Sequence, residues 1–276
     1  VIMLARPPLL WLAAALLLVA ALASGTWVGD SWIPPNGEIL TISQIQRIHG
    51  DRNTLVVGDS LARRFTSTLA LVLQDRSFQD LPDAVVDSKA LLGKGHHAST
   101  SYAIPKLGGN GTRLLDFQWN PFARDVTKMV RQLHKQPLPK YSLLIVCIGI
   151  HDAEETKKSI ESVLAATRDT LAALALPWNA SHHYPTVVWR TTPYHDSRDG
   201  GAQSAINKRA EQMNVYVLHN HPGGVHVSNA AKHITFKSQG AERERGDTLN
   251  HYNNIIRWVE IQCVTHTLKH VQPDTY

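Results

Sequence analysis

The chain has 276 residues, 43% of them hydrophobic and 18% charged, which suits one sizeable α/β domain of roughly 220 residues with an N-terminal appendage and leaves no need for a second catalytic domain. Its formal net charge is +5, but lysine and arginine are scattered, with no basic run interleaved with aromatics; the charge reads as solvated surface, and no nucleic-acid partner is expected. The two cysteines, Cys147 and Cys263, each sit in an apolar run, which gives no disulfide framework and excludes a zinc–cysteine site.

From Pro7 to Gly29 the chain carries no charge and is dominated by Leu, Ala, Val and Trp, long enough to span a bilayer core as a helix. Arg6 before it and Asp30 after it orient the short N-terminus to the cytosol and the remainder to the lumen. We take residues 1–30 as a signal-anchor, with a cleaved signal peptide ending at Ala21-Leu22-Ala23 as the alternative. Either way the rest is translocated, and two glycosylation sequons agree: Asn110-Gly111-Thr112 and Asn179-Ala180-Ser181. Residues 31–50, with Pro34-Pro35-Asn36-Gly37, read as a stalk, and 51–276 as the globular domain, which starts somewhere between 38 and 54.

The domain opens on Leu55-Val56-Val57-Gly58-Asp59-Ser60. The β-branched run suits a buried strand over 54–57, Gly58 permits a tight turn, and Leu61, Phe65, Leu69 and Leu73 recur as the buried face of a helix over 61–74. A second strand is expected at 84–88, then a long loop over 92–112 and a helix over 123–134. Ser142 to Ile148 is a continuous apolar run of the kind buried parallel strands require, and it ends in Gly149-Ile150-His151-Asp152. A helix over 156–174 and a strand over 186–190 follow, the latter leading into Thr191-Thr192-Pro193-Tyr194-His195. Next come a helix over 204–213, a fifth strand over 215–218 and a final helix over 253–267, just after Asp247-Thr248-Leu249-Asn250-His251. Strands alternating with helices predict an α/β fold: a three-layer α/β/α sandwich around a mostly parallel five-stranded sheet, preceded by the membrane helix.

In such a sheet the loops after successive strands gather at one edge, so Ser60, His151, His195 and the 247–251 loop fall together. Serine is a weak nucleophile until a base takes its proton and a carboxylate orients the base, and His251 and Asp247 supply both roles. Ser60 at a helix start also lies beside backbone N–H groups able to hold an oxyanion. The plainer reading is that Asp59, Ser60 and Asp247 cap helices and His251 is a surface residue. The histidines at 219, 221, 226 and 233 read as loop rather than metal site.

Gly58-Asp59-Ser60, Gly149-Ile150-His151-Asp152 and the Asp247, His251 pair resemble the first, third and fifth blocks of the SGNH (GDSL-type) hydrolase superfamily. Val57-Gly58-Asp59-Ser60-Leu61-Ala62-Arg63 and Trp189-Arg190-Thr191-Thr192-Pro193-Tyr194-His195 are similar to its PC-esterase branch, which includes the plant trichome-birefringence-like polysaccharide O-acetyltransferases and the animal sialic-acid O-acetyltransferase domain. The resemblance covers residues 54–265 and implies a flavodoxin-like SGNH fold without metal or organic cofactor. It implies acyl transfer, with acetyl the group moved, through Ser60, His251 and Asp247, with Ser60 and His151 at the oxyanion and Asp59, Arg63, Arg190 and His195 at the substrate. The partners expected are a carbohydrate acceptor, an acyl donor and the membrane; the place is the Golgi or secretory lumen as a type II membrane protein, with secretion as the alternative. The chain has departures too. His151 stands where the superfamily usually has Asn, where a neutral imidazole N–H can donate instead. Asn250 stands where the last-block histidine is usual, and the second-block glycine has three candidates, Gly93, Gly95 and Gly108. The expected activity is glycan O-acetyl transfer, with ester hydrolysis and a catalytically silent glycan-binding domain as alternatives.

Overall fold

A computed structural model of the chain describes residues 26–28, 31–34, 37–74, 99–136, 140–155, 157–176, 185–193, 202–232 and 254–271. Two short strands, β1 (Thr26–Val28) and β2 (Ser31–Ile33), pair antiparallel with each other. The end of the predicted membrane span is therefore strand rather than helix, and residues 1–25 lie outside the described ones. Among the described residues no helix is long and apolar enough to cross a membrane.

The domain is organised on a six-stranded sheet built from β3 (Thr54–Gly58), β4 (Thr100–Pro105), β5 (Thr112–Trp119), β6 (Leu143–Cys147), β7 (Thr186–Arg190) and β8 (Val225–Ser228), in the spatial order β4-β5-β3-β6-β7-β8. Five strands run parallel, and β4 adds an antiparallel edge to β5. The central strands alternate in side-chain direction, as the pleat requires. Val56, Ile145, Cys147 and Val188 pack on one face against α1 (Ile42–His49), α2 (Ser60–Leu73) and α7 (Asn254–Val271). Leu55, Val57, Leu144, Val146, Val187 and Trp189 pack on the other against α3 (Ala123–Leu133), α5 (Ile160–Ala175) and α6 (Ala202–Asn220). This is the expected three-layer sandwich, with one strand more than expected.

The differences have local causes. Val215 to Leu218, expected as a strand, belongs to α6: Asn207, Ala210, Met213, Asn214 and Val217 are buried at helical spacing while Val215 is 47% exposed. The fifth parallel strand is instead β8, a four-residue run after Gly223-Gly224. The end of the predicted 92–112 loop is β4 and the turn into β5, with Gly109 and Gly111 at positive φ in that turn. Pro105 ends β4 on the open edge, where its missing N–H removes no ladder bond. Between β6 and α5 the chain makes a separate short helix, α4 (Ile150–Glu154), and α5 starts only at a Ser159 cap. The segment assigned to a stalk contains α1, held by a Thr41/Gln44 capping box and tied to α7 by paired Leu40–Gln262 hydrogen bonds of 2.9 and 2.8 Å; the domain thus reaches back to Glu38. The predicted strand at 84–88 lies outside the described residues.

Candidate active site

Ser60 sits where β3 turns into α2. A β-carbon on Gly58 would lie 2.0 Å from the Cys147 carbonyl oxygen and 2.6 Å from the Ala62 β-carbon, and its φ is +157°, so only glycine fits this corner. Asp59 is the N-cap: its Oδ1 accepts from the Leu61 N–H at 2.9 Å and the Ala62 N–H at 3.3 Å. The Arg63 N–H bonds the Asp59 carbonyl at 3.0 Å, so the cap engages the first-turn amides beyond Ser60 and leaves the Ser60 N–H outside it. Asp59 is 1% exposed in this capping role, and the substrate contact expected of it rests on the motif resemblance. Burial pushes its carboxyl up, opposed by the nearby charges of His151 and Arg190 and by the two backbone donors.

The strands flanking β3 each deliver a side chain to this edge. On one side Gly58 is in register with Trp119, and the next residue, Asn120, donates its N–H to the Gly58 carbonyl at 2.9 Å. The Asn120 Nδ2 is buried and has no hydrogen-bond partner among the described residues. Asn120 thus stands at the end of the strand beside the Ser60 corner, whereas Gly108, one of the three glycines considered, lies in the turn before β5 at the opposite end of the sheet. Gly93 and Gly95 lie outside the described residues. Asn120 escaped the sequence reading because β5 itself did; the polar residue ending Leu114-Leu115-Asp116-Phe117-Gln118-Trp119 was the available signal.

On the other side Gly58 is in register with Cys147 of β6. Gly149, at φ +131°, lets the chain pass so close to Thr192 that a β-carbon would meet its Oγ1 at 2.1 Å, and α4 then begins with His151 in its first turn. The His151 ring lies edge-on to Trp119, with centroids 6.1 Å apart, and tilted against Phe122 at 6.0 Å. Its Nδ1 is 3.1 Å from Glu154 Oε2, one helical turn on, while its Nε2 is buried without a hydrogen-bond partner among the described residues. The Glu154 contact raises the His151 pKa above the usual value; burial opposes it, and the charges of Asp59 and Asp152 assist. Asp152 Oδ2 accepts the Ala123 N–H at 2.9 Å, and so caps α3, whose own N-cap residue Phe122 offers no side-chain bond. Burial lifts the Asp152 carboxyl to about 6.

The two candidate substrate arginines have structural surroundings. Arg190 is 1% exposed, ion-paired to Glu260 of α7, and its guanidinium lies over the Phe65 ring at 5.7 Å, so it joins β7 to α7 and α2. Arg63 is 6% exposed on α2, where its charge acts on Tyr102 of β4. Asn110 stands exposed in the β4–β5 turn, at the end of the sheet away from Ser60. His195, Asp247, His251 and Asn179 lie outside the described residues. Among the described residues no group of three or more His, Cys, Asp or Glu is arranged to hold a metal ion. The edge of the sheet therefore brings together Ser60, Asn120 and His151: a hydroxyl at a helix N-terminus between two buried nitrogens that have no hydrogen-bond partner among the described residues.

No family model matches the chain, and no curated protein matches it. Three solved structures are similar to it. A member of the lipolytic protein G-D-S-L family from Veillonella parvula aligns at TM-score 0.43 and 11% identity, over 81% of this chain and 99% of its own. A carbohydrate esterase family 3 protein from Talaromyces cellulolyticus aligns at 0.47 and 13%, over 81% and 100%. An acetyl esterase mutant with acetate ion aligns at 0.46 and 12%, over 80% and 99%.

Proposed function

We propose that this chain is a serine acyl-transfer enzyme of the SGNH (GDSL) type, and that it moves acetyl groups to glycan hydroxyls in the secretory lumen. One observation carries the enzyme reading: a serine on a glycine-forced strand–helix corner, flanked at the neighbouring strand ends by buried side-chain nitrogens that have no hydrogen-bond partner among the described residues. Buried donors without acceptors are costly in a finished fold, and a developing oxyanion beside Ser60 would satisfy them. The acetyl group, glycan acceptor and lumen rest on the motif resemblance, the apolar N-terminus and the sequons.

In this reading His251 takes the Ser60 proton as Oγ bonds the acyl carbon. The carbonyl electron pair moves onto oxygen, which the Ser60 N–H, Asn120 Nδ2 and His151 hold. His251 returns the proton to the departing alkoxide, with Asp247 orienting its ring, and the acyl-serine passes its acyl group to an acceptor hydroxyl. The test is a pair of single variants and their double. Ser60→Ala and His251→Ala should each cut turnover of an activated acetyl ester by on the order of 10⁴-fold, and the double variant should be scarcely slower, because nucleophile and base act as one unit. Polysaccharide that speeds turnover and becomes acetylated marks a transferase; turnover indifferent to it marks an esterase. Activity retained in Ser60→Ala, alongside unchanged glycan affinity, would return the chain to the glycan-binding reading.

A further inference from the structure

His151 Nδ1 lies 3.1 Å from Glu154 Oε2. A carboxylate only accepts, so the proton of this contact belongs to Nδ1, and a neutral ring so disposed has a bare lone pair at Nε2. That tautomer cannot donate to an oxyanion; only the imidazolium carries the second N–H. Nε2 is buried, and the ring lies against Trp119 and Phe122. Three carboxylates act on the ring from around it: Glu154 and Asp152 on α4, and Asp59 from the β3–α2 corner. Among the described residues, four nearby cations make contacts of their own. Arg124 and Lys158 stack on Phe122 at 4.7 and 5.8 Å and pair with Glu155, Arg190 pairs with Glu260, and Arg209 of α6 donates to the backbone carbonyls of Ala153 and Glu155.

We infer that Glu154 is a positioning residue for acyl transfer, fixing the His151 proton on Nδ1 and keeping the ring cationic, so that Nε2–H offers the oxyanion a charged donor. This rests on the acyl-transfer reading above. His151 transfers no proton in the step: the electron pair of the carbonyl arrives on oxygen and Nε2–H binds it. A charged donor is stronger than the neutral amide usual in the third block, and the site acquires a pH dependence that an amide would not give. Loss of the His151 proton should slow the enzyme. Had His151 instead been a neutral acceptor acting on the Ser60 hydroxyl, losing that proton would speed it.

The experiment follows kcat/KM for an activated acetyl ester from about pH 5 to about pH 9, with a histidine NMR titration of the same full-length proteins. Wild type should lose rate on the alkaline side as His151 titrates, above the ordinary histidine range. Glu154→Gln should move both the alkaline fall and the His151 titration to lower pH, with a several-fold loss of rate near neutrality, and Glu154→Asp should recover part. His151→Ala should lose on the order of 10²-fold, and His151→Asn should be partly active with the alkaline fall gone. A rate that climbs as His151 loses its proton overturns the inference, as does a Glu154→Gln protein whose His151 titration and profile match wild type. A raised titration in a folded protein that turns over no ester defeats acyl transfer, and the oxyanion role with it, while the ion pair stands.

Discussion

Asp152 shows how one side chain can serve the fold at an electrostatic cost. Its folded-state value of about 6 stands above the ordinary 3.8, so ionisation is harder in the native protein than in the unfolded chain. The stability tied to its proton is present below pH 3.8 and lost as pH rises through about 6. Asp152→Asn keeps an oxygen to accept the Ala123 N–H and removes the desolvated charge. It should raise unfolding free energy at neutral pH by on the order of 2–3 kcal/mol and by well under 1 kcal/mol near pH 4, read by urea unfolding at the two pH values. A variant that loses stability at both would show that the carboxylate itself holds α3. At this scale the sequence exposes identities but not partners. His151 was visible from the Gly149-Ile150-His151-Asp152 spacing, whereas its tie to Glu154 and the α3 cap by Asp152 depend on a helix of five residues that no periodicity reveals.

Among elements, the central strands were legible because burial on both faces demands unbroken apolar runs, as in Leu143–Cys147. Val215 to Leu218 misled because four apolar residues fit a strand or a helix equally, and only the burial of Asn207, Asn214 and Val217 on one stripe decides it. The β4–β5 hairpin was hidden for the opposite reason: β4 alternates exposed and covered residues on an edge and carries little apolar signal. The corner at Gly58 was legible and tighter than expected. Gly58→Ala must push a methyl group into the Cys147 carbonyl, and strands held in register cannot separate to admit it. We expect a loss of roughly 3 kcal/mol or more in thermal or urea unfolding. Gly109→Ala, also at positive φ but with no atom within 4 Å of the added carbon, should cost only about 1 kcal/mol. Equal losses would mean that backbone conformation, not close approach, makes glycine necessary at position 58.

For the whole molecule, parallel topology decides which residues can meet. Ser60, Asn120 and His151 come from positions far apart in the chain, yet each follows a parallel strand, in the adjacent order β5-β3-β6. Asn110 precedes β5 and so belongs to the opposite end, exposed and remote from Ser60. If the domain is luminal, Asn110 should carry glycan, detected as a mobility shift on deglycosylation that Asn110→Gln abolishes, without change in esterase rate. An anchor at 1–30 should also keep the protein in the membrane fraction after carbonate extraction, and a soluble product starting at Ser24 would identify a cleaved signal peptide instead.

The glycine contacts at positions 58 and 149 bear on how the site behaves in different solutions. The serine corner meets the histidine strand at the Cys147 carbonyl, and the turn before His151 meets Thr192 beyond the next strand, each a hard stop set by atomic size rather than by attraction between charges. Salt and acidity act on attractions and leave such a stop in place. Moving the protein between compartments of different pH or ionic strength should therefore retune the charge at His151 while the distance it acts across stays the same, so that such conditions work on this site as a dial for strength and not for shape.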